Sequence, residues 1–149
     1  MIANKKILNK ATFIDTWGWL ALGHQRDEYH SEVKEIFLEF RNDDIPIFTS
    51  DYVLDELITL IFRRENINES IIFINSILSA TASDHLRIER ITSERFVSAW
   101  ELRKRYTDKP EISFTDFTSM VIMKENSIQS ILTMDRHFAH AGLGFVLVP

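Results

Sequence analysis

Apolar residues are spaced along this chain in two rhythms, and the changes of rhythm mark the elements. Val33, Ile36, Phe37 and Phe40 fall on one side of a helix predicted over His30–Phe40. Val53, Leu54, Leu57, Ile58 and Ile61 make an amphipathic helix from Asp51 to Arg64. Ile67–Leu78 is a further apolar-rich helix. Thr92-Ser-Glu-Arg opens another that runs to Tyr106, with Phe96, Val97, Trp100 and Leu102 expected inside. Ser113-Phe-Thr-Asp116 has the S-x-x-D form of a helix start, for a helix ending at Asn126. Between these lie short β-rich runs: Ala11–Asp15, expected to end in a turn, then Ile45–Thr49, His85–Arg90, Ile128–Thr133 and Phe145–Val148.

Strands separated by helices must mostly run parallel, because a parallel connection has to travel back over one face of the sheet. The expected class is therefore α/β, a three-layer α/β/α sandwich around a mostly parallel sheet. Only four Gly and three Pro occur and no low-complexity tract interrupts the chain, so residues 1–149 are expected to form a single domain. In open parallel sheets, ligands bind beyond the carboxyl ends of the strands at a topological switch point. That rule directs attention to what stands at those ends.

Composition narrows the chemistry. Zero cysteine excludes disulfides, thiolate zinc sites, iron–sulfur clusters and Cys nucleophiles. A net charge of −5 argues against a protein whose main device is a basic nucleic-acid-binding face, but not against an enzyme whose carboxylates hold cations that meet phosphate. Met1–Lys10 is polar with three lysines, and Asp15 interrupts the apolar stretch that follows, so neither a signal peptide nor a membrane span is expected. A soluble, cytoplasmic protein is the expectation.

Four acidic residues map to one end of the predicted sheet. Asp15 closes the first strand, Asp135 follows the strand Ser130–Thr133, Glu56 sits one turn into the helix after the second strand, and Asp116 lies in the first turn of its helix. Singly, each has a structural explanation: helix capping for Asp116, turn formation for Asp15 and Asp135, a solvated charge for Glu56. Glu56 borders the apolar stripe of its helix beside Leu60, whereas Asp55 lies on the opposite flank, so Glu56 is the better site candidate of the two. Together, four convergent carboxylates would repel one another and raise some of their pKa values unless a cation relieved them. All-oxygen sites suit Mg²⁺ or Mn²⁺, and such a site serves in-line displacement at a phosphodiester.

Phe13-Ile-Asp-Thr16, Thr49-Ser-Asp-Tyr-Val-Leu-Asp-Glu56, Ser113-Phe-Thr-Asp116 and Leu132-Thr-Met-Asp-Arg-His-Phe138, in this order, resemble the PIN domain family, and within it the toxin-type ribonucleases of bacterial type II toxin–antitoxin pairs. The resemblance covers essentially the whole chain. It implies that Asp15, Glu56, Asp116 and Asp135 match the family's acidic metal-binding positions, and that Thr115 and Thr133 match hydroxyl positions beside the last two. It further implies a Mg²⁺- or Mn²⁺-dependent endoribonuclease acting on RNA, forming a homodimer and inhibited by a small antitoxin protein. A solitary PIN nuclease and a catalytically silent PIN-like binding module are the alternatives. A receiver or phosphatase using Asp15 as phosphoacceptor is disfavoured, because Asp15-Thr-Trp17 lacks the Asp-x-Asp of such phosphatases and no acidic pair precedes it.

Other groups carry two readings each. Arg136, beside His137, meets a phosphate or is simply solvated, and His137 is set aside as a metal ligand because the carboxylates suffice. Thr133 serves a metal-bound water or merely ends a strand. Arg63 shares the flank of Glu56, and Arg103-Lys-Arg105 reads as a solvated helix end. Trp17, Trp19 and Trp100 read as core or dimer-interface aromatics. The apolar excess between residues 57 and 78 is expected to dock a second subunit or an antitoxin helix.

Overall fold

The computed structural model describes residues 11–149; the polar stretch Met1–Lys10 lies outside them. The elements run β1 (Thr12–Ile14), α1 (Thr16–Gly23), α2 (His30–Asn42), β2 (Ile47–Ser50), α3 (Asp51–Arg64), α4 (Ile67–Ala80), β3 (Leu86–Glu89), α5 (Ser93–Arg105), α6 (Phe114–Glu125), β4 (Ser130–Leu132), α7 (His137–His140) and β5 (Val146–Val148). The five strands form one sheet in the order β3-β2-β1-β4-β5, parallel throughout rather than mostly. The chain steps outward from β1 to β3 and then crosses back to β4 and β5. Right-handed crossovers in opposite directions lay helices on both faces, which gives the three-layer α/β/α sandwich. Reversal of direction makes the gap between β1 and β4 the switch point of the sheet. Among the described residues no helix is long and apolar enough to cross a membrane.

Local chemistry explains most boundaries. Side-chain oxygens of Ser50, Asn66, Thr92 and Ser113 accept from backbone N–H groups three residues on, capping α3, α4, α5 and α6. Ser113 and Asp116 complete a reciprocal capping box, as the S-x-x-D spacing predicts. In the core, Phe13, Ile14, Ile131 and Leu132 of the sheet are sealed by Trp19, Phe40, Leu57, Ile61, Phe117 and Met120 from the helices.

Three expectations are corrected. No turn follows β1: the chain enters α1 directly. Thr16-Trp-Gly-Trp-Leu-Ala-Leu-Gly23 is apolar on every side, so it shows no amphipathic stripe, and it is helical because it is buried. Trp19 donates its indole N–H to Thr49 Oγ1 at 3.0 Å, and Thr49 passes its own proton to the Ile14 carbonyl at 3.0 Å, which fixes α1 across β1 and β2. Secondly, Phe96, Val97 and Trp100 are about half exposed. The helix α5 turns Ala99 and Leu102 inward against α6, and Phe96 only stacks at its edge on Phe114, with ring centroids 4.9 Å apart.

The run Arg103-Lys-Arg105 is also not uniformly solvated. Arg103 donates to the carbonyls of Ile112 at 2.7 Å, Lys109 at 3.0 Å and Tyr106, and lies 4.7 Å from the centre of the Phe117 ring. It thereby fastens the segment that delivers Ser113 and α6. Tyr106 donates its hydroxyl to the Ala141 carbonyl at 2.6 Å, tying that segment to the end of α7.

The seat of α1 on the sheet depends on Gly18. A Cβ there would stand 2.6 Å from the Leu132 carbonyl oxygen, a backbone atom that cannot yield cheaply. Gly18→Ala is expected to cost about 1–3 kcal/mol in chemical denaturation, despite the ~1 kcal/mol alanine gains in helix propensity. An unchanged unfolding midpoint would contradict this close approach.

Candidate functional site

The parallel register sets Ile14 opposite Leu132, so the residues that follow, Asp15 and Thr133, stand side by side at the switch point. Thr133, fully buried, donates its hydroxyl to Asp15 Oδ2 at 3.0 Å and accepts the Asp135 N–H at 3.0 Å. One threonine thus positions both strand-end carboxylates. Asp116 reaches the same place from α6. Its Oδ2 accepts the Ser113 N–H at 3.3 Å and lies 3.3 Å from His137 Nδ1. Asp135 Oδ1 accepts the His137 N–H at 2.9 Å and lies 3.0 Å from the same Nδ1.

These groups line a cleft of about 320 Å³, which Glu56, Leu60 and Arg64 of α3 wall on one side and Thr16 and Trp17 of α1 on another. Asp15, Glu56, Asp116 and Asp135 therefore share one cavity. Thr133 acts from beneath it. Thr115 and Arg136 do not line it: the Thr115 carbonyl accepts hydroxyls within α6, and Arg136 is exposed.

Several cleft residues escaped the sequence reading. Arg64 rather than Arg63 faces the cavity, two turns after Glu56 with Leu60 between, a spacing visible on a helical wheel. Glu111 adds a fifth carboxylate from a loop, where no periodicity points to it. His137, set aside earlier, stands between two of the acids. Its Nδ1 and one oxygen each of Asp116 and Asp135 lie within 4.8 Å of one another, close enough to share a cation. The signal for it was its position two residues after Asp135. Trp17 is half-buried at the cleft and packs on Tyr29, with ring centroids 5.4 Å apart.

The electrostatics are unbalanced. Burial, reinforced by the charges of Asp116 and Asp135, pushes Asp15 up to about 7, although hydrogen bonds from the Thr16 backbone and the Thr133 hydroxyl oppose the shift. Asp116 is raised too, by burial first and by Asp135 next, with His137 and Ser113 pulling the other way. The folded pKa of Asp15 stands above its unfolded value of 3.8. Through that window the folded chain keeps a proton that the unfolded chain has released, so without a counter-ion stability falls as pH rises from about 4 to about 7 and levels off above. The donor set is carboxylate oxygen with one imidazole, which fits a hard divalent cation such as Mg²⁺ or Mn²⁺.

The family model for the PIN domain matches residues 12–143. The 23S rRNA-specific endonuclease VapC20 of Mycobacterium tuberculosis, from strain CDC 1551 / Oshkosh and from strain ATCC 25618 / H37Rv, is 32% identical over 130 residues, covering 87% of this chain and 93% of the relative. The crystal structure of M. tuberculosis VapC20, described as a sarcin–ricin loop cleaving toxin, superposes with a TM-score of 0.77 at 31% identity, covering 91% of this chain and 97% of that one. VapBC2 from Rickettsia felis, solved bound to a DNA fragment from the promoter, shares the fold with a TM-score of 0.67 at 16% identity, over 93% of this chain and 97% of that one. With strand-end acids at the switch point and a family match over nearly its whole length, the chain belongs to the PIN domain family.

Proposed function

We propose that this chain is a divalent-cation-dependent endoribonuclease, using Mg²⁺ or Mn²⁺, and the toxin component of a type II toxin–antitoxin pair. The observation that carries this reading is the mutually repelling set of buried Asp15, buried Asp116 and half-buried Asp135 in a cleft large enough for a phosphodiester. Similarity to an rRNA-specific endonuclease supports RNA as the substrate, and a structured loop of ribosomal RNA is the class to test first.

In this reading Asp15, Asp116 and Asp135 hold the cation, with Glu56 on the facing wall and His137 beside Asp116 and Asp135. The chemistry a bound divalent cation supplies is a more acidic water for attack at phosphorus and positive charge for the phosphate oxygens. The chain's own contribution is preorganisation. Thr133 fixes Asp15, while the Ser113 amide and His137 fix Asp116 through one oxygen, leaving its Oδ1 without a hydrogen bond among the described residues. Arg64 adds a cation on the wall where the RNA backbone enters.

The apolar excess on α3 and α4 supports a protein partner. Leu57, Ile61, Ile74 and Ile77 are consumed by the core, but Ile58, Phe62, Ile67, Ile71, Ile72 and Leu78 remain exposed. We assign this face to a second copy of the chain. The antitoxin is inferred from the toxin description of the M. tuberculosis relative.

Asp116→Asn is expected to lower Mn²⁺-dependent cleavage of a sarcin–ricin stem-loop RNA by at least about 100-fold, with thermal stability equal to or above wild type, and EDTA is expected to silence the wild type. Equal cleavage by wild type and variant, or by wild type in EDTA, would contradict the nuclease reading. For the dimer, light scattering at micromolar concentration is expected to give twice the chain mass, falling to one chain in the double variant Phe62→Asp, Ile71→Asp. A monomeric wild type would remove the assignment of that face.

A further inference from the structure

The first turn of α1 opens into the cleft without a cap. Asp15 occupies the N-cap position, but its carboxylate takes only the adjacent Thr16 N–H and does not reach the amides further on, as Ser50, Asn66, Thr92 and Ser113 do in their helices. The first amide with an intrahelical acceptor is Trp19 N–H, bonded to the Asp15 carbonyl at 3.1 Å. The Trp17 and Gly18 amides precede it and have no acceptor among the described residues, and the positive end of the helix dipole adds to their pull on an anion.

A second observation points to the same place. Thr16 is 6% exposed and lines the cleft. Its Oγ1 is the one buried side-chain oxygen or nitrogen among the described residues that lacks a hydrogen-bond partner. Leaving a buried hydroxyl unpaired is costly, and native proteins tolerate few such groups without a reason. Here the reason is at hand: Thr16 belongs to the wall of a cavity that Trp17 and Arg64 also line.

We propose that the Thr16 hydroxyl and the free amides of the first turn of α1 receive a non-bridging oxygen of a substrate phosphodiester. Thr16 is then a substrate-contacting residue. A phosphate seated there lies between the carboxylate cluster and Arg64, which orients it for attack. This assignment rests on the nuclease reading for the identity of the ligand, but the anion subsite can be measured without activity.

Two readouts test it. In nitrogen-15 NMR of the wild-type chain with Mg²⁺, millimolar inorganic phosphate is expected to shift the Thr16, Trp17 and Gly18 amide signals, and the shifts should be much reduced in Thr16→Val. In cleavage of the stem-loop RNA, Thr16→Val is expected to lower kcat/KM about 10- to 100-fold and Thr16→Ser to restore most of it. Valine fills the same volume, so Thr16→Val should melt at or above the wild-type temperature, and its Mn²⁺ affinity in the absence of RNA should be unchanged. Wild-type cleavage matched by Thr16→Val, or the absence of phosphate-induced shifts, would overturn the subsite while leaving the nuclease reading intact. A loss of Mn²⁺ affinity in parallel with activity would also overturn it, since the hydroxyl would then serve the cation. An unfolded Thr16→Val would show that the hydroxyl has a structural role and would count against the proposal. Phosphate shifts in a protein that cuts no RNA would uphold the subsite and sink the nuclease reading instead.

Discussion

The structure is organised around one unfavourable act: the burial of Asp15 where the sheet reverses direction. Register against β4 brings Thr133 beside it, and Thr133 also receives the Asp135 amide, so a single hydroxyl couples the two strand ends. The capping box of α6 adds a third carboxylate, fixed by the same bonds that start the helix. Hydrophobic packing elsewhere must hold these like charges together, and burial first, then the charges of Asp116 and Asp135, raise Asp15 to about 7. A fold that sets an Asp at each of two adjacent strand ends and another at a helix start is built for a positive charge it does not itself provide.

The surrounding structure supplies rigidity rather than neutrality. Arg103 binds three carbonyls of the segment before Ser113, and Tyr106 anchors it to the turn after α7, so the positions of Asp116 and His137 are set by one fastened unit. His24 and Glu65, just after the C-terminal ends of α1 and α3, join those helices with a 2.6 Å contact. The proposed function accommodates a net charge of −5, because in that reading the clustered acids hold a cation and Arg64, which also lines the cleft, meets the phosphate.

Much of this was legible in the chain itself. Strand ends followed by Asp, the S-x-x-D of α6 and the flank occupied by Glu56 each report a local rule, and local rules survive folding. What was missed depends on neighbours. In α1 no stripe betrays a helix because its residues are apolar all round, and only the Leu132 carbonyl shows why glycine stands at position 18. In α5, periodicity allowed two flanks and only the contact with α6 chose Ala99 and Leu102. Glu111 joins the site through tertiary placement alone, whereas Arg64 and His137 stand at spacings that point to it, and the unpaired hydroxyl of Thr16 cannot be read from any spacing.

The central claim is that the acidic cleft is destabilising until a divalent cation balances it. It is tested most directly by thermal denaturation of wild type and Asp15→Asn between pH 4.5 and 8, each in EDTA and in Mn²⁺. In EDTA the wild type should lose stability as pH rises toward 7, by up to several kcal/mol relative to Asp15→Asn, and Mn²⁺ should restore the wild type far more than the variant. Parallel pH profiles for the two proteins in EDTA, or equal stabilisation of both by Mn²⁺, would contradict the account.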